Sequence, residues 1–496
     1  MALACVAVVA ATAGKASAAA WSFGVMSDTQ WTVTDSEGQS PNTIPANLMG
    51  QIDKQFIQKG TKLVVDIGDS VDTSSTANLD ARALYVQDLY NAGVAYYPLR
   101  GNHEAGDGLS GAEFSRTYPQ IGYTVNPSAG TGAVTGTAGL NNATPSDIVA
   151  KTGVGLDTNI APPVKTNSST FSVGGNFSYP TAVNNASGAL SYSFDYNNTR
   201  FVLLDQFDTT GNTDDSTVSQ QQPWISGQLS DAKTNGMQTF VFGHKNLLGG
   251  NHKDNLFGPQ VVSSDPGDGS GVSTSSLTPA QQTQMLAKQS AENSFIGAMA
   301  NSNAKYYICG HDHHDYNSVV TSPDGTASTH QIISQSDSSK FYTPGSPFSA
   351  NDTPVAQQLN QVGYYIYTID GPRVTVDYYA ASANTVDSTG KTITAGGNPT
   401  FNFTKQQTYG YSLNGKEFLV QSGGNLSAVH DSYGSTTMSL VGLNTSTSKT
   451  ADGRALTEAI DTGWTDRTAG FASDALTLWG MEEIGASTTA SPFTLT

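Results

Sequence analysis

The stretch KLVVDIGDSVD, Lys62 to Asp72, is apolar at its start and breaks at Gly68-Asp69. A short continuous apolar run closed by a glycine turn reads as a strand buried on both faces, as parallel sheets require. Its neighbours agree. Upstream, WSFGVMS (21–27) is a second apolar strand, and PANLMGQIDKQFIQKG (45–60) sets Leu48, Ile52 and Phe56 on one helical face. Downstream, LDARALYVQDLYNAG (79–93) predicts one helix, with Leu79, Ala83, Val86 and Tyr90 in register and Gly93 as its C-terminal cap. VAYYPLRGNHE (94–104) then reads as a third strand ending in a glycine turn. Strand, helix, strand, helix, strand in this order predicts right-handed parallel crossovers and an α/β fold. Chemistry then belongs on the loops at the carboxyl ends of the strands.

Further along, periodicity disappears over 117–187, which reads as a long insertion rich in Gly, Ser, Thr and Asn. Order resumes with LSYSFDYNNTRFVLLDQF (190–207), a hairpin turning at Asn197-Asn198, then a helix over 221–236 and the strand MQTFVFGH (237–244). A second insertion, 251–276, precedes a helix near Pro279 to Asn301 and the strand KYYICGHDHH (305–314). GYYIYTIDGPRVTVDYYA (363–380) is a hairpin with Asp370-Gly371 at its turn. Beyond 383 the chain becomes rich in Ser and Thr, with a further hairpin at Asn414-Gly415. The expected organisation is a leader-like segment at 1–20, a principal domain over 21–383 and a separate β-rich accessory domain over 384–496.

Composition limits the function classes. A formal net charge of -18 over 496 residues argues against wrapping nucleic acid or an anionic membrane. It leaves anionic substrates open, because bound metal reverses the local sign. The first residues are apolar from Ala2 to about Ala13, and ASA at 16–18 resembles a signal-peptidase site, although the first basic residue is Lys15. A secreted or periplasmic location is the expectation, against the alternative of a buried first helix. Loss of the leader would leave Cys309 alone, and its surroundings suit a small buried hydrophobe. No later segment is long and apolar enough to be a membrane-spanning helix.

Five strand ends deliver polar groups: SDTQ (Asp28, Gln30), GDSVD (Asp69, Asp72), GNHE (Asn102, His103), FGH (His244) and GHDHH (His311, His313). Five of the eight histidines fall within these blocks, so they are grouped rather than scattered. Each block alone has a plain structural alternative. Asp69 and Asn102 are ordinary turn residues, Asp72 is a fair helix N-cap, and His103 or His244 would serve as a satisfied strand-end histidine. Their shared placement at strand ends is what those alternatives leave unexplained. Three further residues are candidates for substrate contact. Arg100 competes with a buried ion pair, Lys245 with a solvated lysine, and His252 with a plain loop residue.

The ordered set resembles the calcineurin-like metallophosphoesterases, whose pattern is Asp-x-His, Gly-Asp-x-x-Asp, Gly-Asn-His-Asp/Glu, His and Gly-His-x-His. The resemblance runs from about Trp21 to Ala383. It implies a central β-sandwich flanked by helices, with two divalent metals (Mn, Fe, Zn, Ni or Mg) at one edge. Carried over, one metal would take Asp28, Gln30, Asp69 and His313, and the other Asp69, Asn102, His244 and His311. Asp69 would bridge, His103 would assist the leaving group of a water attack on phosphorus, and Asp72 would orient His103. Four positive metal charges against Asp28 and Asp69 leave the site net positive, as a phosphate ester needs. Gln30 departs from the pattern's histidine. Thr73 replaces the arginine of the protein phosphatase branch, and Asp72 stands where purple acid phosphatases carry a tyrosine. The implied activity is hydrolysis of phosphate mono- or diesters. The competing reading is an inert surface or matrix protein on the same fold, binding carbohydrate or protein through its C-terminal region.

Overall fold

The computed structural model describes residues 19–30, 44–73, 75–105, 114, 117–121, 132–134, 170–180, 190–207, 216–252, 254–259, 277–338, 342–382, 400–413, 416–421, 426–431 and 436–438. The leader-like segment up to residue 18, most of both insertions and residues 439–496 lie outside them.

The opening pattern forms as three parallel strands, β1 (Trp21–Met26), β2 (Leu63–Asp66) and β3 (Ala95–Pro98). Helix α1 (Ile44–Gln58) joins the first two strands. Between the second and third, the single expected helix is two, α2 (Thr76–Tyr85) and α3 (Gln87–Asn91), separated at Val86. Val86 keeps right-handed backbone angles, so the hydrogen bonding shifts there while the chain continues in the same direction. Ser75, whose side chain accepts from the Asn78 amide, caps α2, so Asp72 is not its N-cap. Gly93 closes the segment at φ +71°.

These strands belong to a nine-stranded sheet in the order β21-β20-β19-β18-β17-β16-β1-β2-β3. Its antiparallel members are β16 (Gln361–Asp370), β17 (Arg373–Ser382), β18 (Thr404–Ser412), β19 (Lys416–Gln421), β20 (Leu426–Asp431) and β21 (Thr436–Met438). The boundary expected at 383/384 therefore falls inside one sheet, because β18 pairs with β17 from Arg373↔Ser412 to Ala380↔Thr404.

A second, eight-stranded sheet runs β15-β13-β14-β12-β9-β8-β7-β6. It contains β6 (Gly175–Ser178), the predicted hairpin β7 (Tyr192–Tyr196) and β8 (Thr199–Leu204), then β9 (Gln238–Gly243) and β12 (Ala304–Cys309). It is completed by β13 (Asp315–Thr321), β14 (Ser328–Ile333) and β15 (Asp352–Gln358). Two short pairs sit in the insertions: β4 (Gly132–Val134) with β5 (Thr170–Ser172), and β10 (Asp254–Asn255) with β11 (Gly258–Pro259).

The period-two alternation of β8, β9 and β12 decides the layers. Phe201, Leu203, Phe240, Phe242, Tyr306 and Ile308 face the other sheet. There Phe23 stacks on Tyr367 at 4.8 Å and meets Phe240 edge-on at 4.9 Å. The alternate residues Val202, Leu204, Val241, Tyr307 and Cys309 face outward, packing with Ile225 and Leu229 of helix α5 (Val218–Thr234) and with Phe295 and Met299 of α6 (Pro279–Ala300). Cys309 is accordingly a buried hydrophobe of the helix layer. On the far side Phe56 of α1 meets Tyr364 edge-on at 5.2 Å. The result is a β-sandwich flanked by helices, with the carboxyl ends of β1, β2, β3, β9 and β12 at one edge.

Candidate metal centre

Parallel register brings the strand ends together. Met26 pairs with Asp66, and beyond them the Asp28 and Gln30 amides donate to the Gly68 and Asp69 carbonyls at 3.0 and 2.8 Å. From the second sheet, the Gly310 amide donates to the His244 carbonyl at 3.0 Å. Space is tight: a Cβ on Gly101 would stand 2.0 Å from Asp69 Oδ1, and one on Gly310 would stand 2.0 Å from Ser27 Oγ. Among the described residues, nine that are not glycine have positive φ. Four are asparagines, which tolerate it; the other five are Asp28, Gln30, Asp69, His311 and His313. Left-handed backbone costs about 1–2 kcal/mol per residue, so the surrounding bonds hold these five side chains in place against a local preference.

Two clusters of ligand-type atoms result, each with its atoms within 4.8 Å of one another. One is Asp28, Asp69 and His313, the other Asp69, His244 and His311. Asp69 is common to both. His313 Nε2 lies 3.3 Å from Asp28 Oδ1, and His244 Nε2 lies 3.2 Å from Asp69 Oδ2 and 3.1 Å from Asn102 Oδ1. His244 Nδ1 is 2.9 Å from the Ile67 carbonyl, which can only accept, so Nδ1 carries a proton. Nε2 of a neutral ring would then point a lone pair at two oxygens. Either a proton or a cation must stand among these three atoms. Gln30 sits beside this centre with its Oε1 buried and without a hydrogen-bond partner. An orphaned amide oxygen, two carboxylates and three imidazoles fit hard or borderline divalent ions.

Metal-free electrostatics follow from the same contacts. Burial alone would raise Asp69, but the His244 and His103 rings outweigh it and hold the carboxyl well below its usual range. Asp28 is lowered for a similar reason, with His313 opposing burial. Burial disfavours the His244 imidazolium, yet Asp69 and Asp28 push it up to about 9. His311 falls to about 4, through burial and the neighbouring His252.

His103 stands at the rim. Its amide donates to Asp69 Oδ1 at 2.9 Å, and its Nε2 is 3.8 Å from Asp69 Oδ2. The expected orientation by the Asp72 carboxylate needs correcting: Nδ1 bonds the Asp72 backbone carbonyl, while the carboxylate stays at 3.8 Å. Arg100 also departs from the substrate expectation. It is buried, with Nε 2.7 Å and Nη2 3.2 Å from the Asp205 carboxylate and Nη2 3.1 Å from the Phe207 carbonyl. Lys245 is buried rather than solvated and pairs with Asp254. His252 is at the centre, stacked on His311 with ring centroids 3.8 Å apart and its Nδ1 2.7 Å from Asp312 Oδ1. His314 turns away to the Asp312 carbonyl.

Three acidic residues escaped the sequence reading. Glu104 accepts from the amides of Asp69 (3.0 Å), Val71 (2.9 Å) and Gly101 (2.7 Å), tying the second block to the third. Burial, then the Asp69 charge, raises its carboxyl to about 7. Its place directly after Asn102-His103 was the available signal. Asp254 had none, since only the fold brings it to His311; Asp312 stands inside the GHDHH block, but its partner His252 comes from the second insertion.

A family model described as calcineurin-like phosphoesterase matches residues 22–315. No curated protein matches the sequence. Among solved structures, a dimetal phosphatase from Danio rerio is 14% identical, with 72% of this chain and 95% of that one covered, at a TM-score of 0.35. A purple acid phosphatase from yellow lupin seeds is 13% identical, with 73% and 52% covered, at 0.36. PhoD is 13% identical, with 80% and 70% covered, at 0.41. With TM-scores this low, classification rests on the family match.

Proposed function

The chain belongs to the calcineurin-like phosphoesterases, and from that premise we propose that it hydrolyses small phosphate mono- or diesters with two divalent metal ions. The observation that carries the proposal is Asp69: one buried carboxylate belongs to both ligand clusters, as a bridge between two cations must. Asp28, Gln30 and His313 would complete one position, and Asn102, His244 and His311 the other. When bound, the two ions supply positive charge against the phosphoryl oxygens and acidify a shared water.

The chain's own groups supply the rest. The Nδ1–H of His103 is committed to the Asp72 carbonyl, which leaves Nε2 as the nitrogen that faces outward over Asp69. With both nitrogens protonated, His103 gives its Nε2 proton to the oxygen that departs from phosphorus. The Asp72 carboxylate lies 3.8 Å from Nδ1, on the side of the ring away from Nε2. The Asp69 contact through the His103 amide keeps acid and bridge in fixed relation. We also propose export, on the apolar stretch Ala2 to Ala13 and the small residues that follow. A mature protein with its original N-terminus, found by intact mass, would count against it.

The direct test is hydrolysis of p-nitrophenyl mono- and diesters by purified protein reconstituted with Mn, Zn, Fe, Ni or Mg. Elemental analysis gives the metal content. Two metals per chain and metal-dependent turnover are expected. Asp69→Ala should lose metal and turnover together. His103→Ala should keep both metals and lose about 10²–10⁴-fold in kcat. Neither metal nor turnover under any condition would reject the enzyme in favour of an inert binding protein.

A further inference from the structure

The chain that follows His244 does not leave the centre. It folds back through the β10–β11 hairpin, where the Leu256 amide donates to the Asn246 carbonyl at 2.8 Å. Asn255 Nδ2 donates to the Leu247 carbonyl at 3.2 Å and to Glu292 of helix α6 at 2.9 Å. Thus anchored at both its own strand end and the helix layer, the hairpin sets Asp254 against His311. Asp254 Oδ1 is 3.3 Å from His311 Nε2, and Oδ2 accepts from the buried Lys245 ammonium. One face of the same imidazole is covered by the stacked His252 ring.

We propose that Asp254, charge-balanced by Lys245, is a positioning residue for His311: it binds the Nε2–H and leaves Nδ1 as the nitrogen that meets the metal. The inference rests on the two-metal reading above, but it assigns a nitrogen and two residues that neither the motifs nor the family pattern supply. The chemistry is direct. A carboxylate can only accept, so the ring nitrogen facing it carries the proton, and a neutral imidazole has then a lone pair only on Nδ1. A carboxylate on the far nitrogen also makes the ligand more basic and fixes the ring plane. Asp254 is absent from both ligand clusters, as expected of a group that acts through His311. Lys245 answers the requirement that a carboxylate set among buried groups have a partner charge.

The test titrates Mn²⁺ alone into the chelator-stripped full-length protein by calorimetry. Wild type should show two sites; none would reject the two-metal reading itself, independently of Asp254. Given two sites, Asp254→Asn should weaken one of them 10- to 100-fold and leave the other unchanged. Asp254→Glu should recover part of the loss. Because Asp254→Asn strands Lys245, the double variant Lys245→Met/Asp254→Asn removes both charges and should show the same single-site loss. Full affinity at both sites in either variant, or an equal loss at both without rescue, overturns the proposal. Long-range ¹H–¹⁵N spectra of the zinc-loaded wild type need no variant. A protonated His311 Nε2 is expected, and a protonated Nδ1 overturns the assignment.

Discussion

Gln30 is an amide where the family pattern carries an imidazole. Its backbone is left-handed at φ +47°, a conformation histidine tolerates better than most residues, and its Oε1 is buried without a partner. An amide oxygen is a neutral and weaker donor, which suits an oxygen-preferring ion at the Asp28 position. Gln30→His should therefore tighten zinc at that position on the order of tenfold, about 1.4 kcal/mol, with the melting profile of the metal-free protein unchanged. Competition with a chelator checks this. Unchanged zinc affinity would remove Gln30 from the ligand set. At this scale the sequence was informative wherever a residue followed an apolar run and a glycine, because the strand end itself fixes such positions. Asp254, Asp312 and the fate of Arg100 were not legible, since their partners at 311, 252 and 205 come from distant segments.

Among the elements, the short helix α4 (Asn102–Ala105) carries the third block and ties the second to it. Glu104 is its clamp, with three backbone amides from two loops on one carboxylate. Glu104→Ala orphans all three buried donors, at about 1–3 kcal/mol each. The expected outcome is a loss on the order of 3 kcal/mol or more in urea unfolding, together with metal affinity lost at both positions because Asp69 is shared. A variant that unfolds like wild type would show that these amides find water instead. The strands, hairpins and crossovers were readable from periodicity, while the Thr278–Gln281 capping box that starts α6 is seen in the structure. The break at Val86 was not readable, because an apolar register continues across it.

For the molecule as a whole, the layer beneath the centre carries a charge mismatch. Arg82 pairs with Asp66 at 3.0 Å, while the Asp53 carboxylate is buried with neither oxygen hydrogen-bonded. Burial pushes the Asp53 carboxyl well up, and the nearby Arg82 pulls it only partly back. A carboxyl raised in the folded state holds its proton longer than the unfolded chain does. Stability therefore falls as pH rises through about 4, where the unfolded group ionises, until the folded group ionises as well. Asp53→Asn should leave the melting temperature nearly unchanged at pH 3 and raise it increasingly from pH 4 to 7. An equal shift at every pH would place the effect in packing rather than ionisation. Calorimetric scans over that range decide it.

By itself the sequence determined the order of the five strand-end blocks, the parallel crossovers and the acidic character of the chain. These are local properties: hydrophobic period, turn residues and composition act over a few neighbouring positions. Only the tertiary structure decided that strands β18 to β21 extend the first sheet, because strand pairing is set by which edge remains free. It alone also made the Asp72 backbone carbonyl the partner of His103, put Arg100 into an ion pair with Asp205, and brought Asp254 to His311. Those contacts join segments far apart along the chain, and no periodicity in the sequence encodes a distance between them.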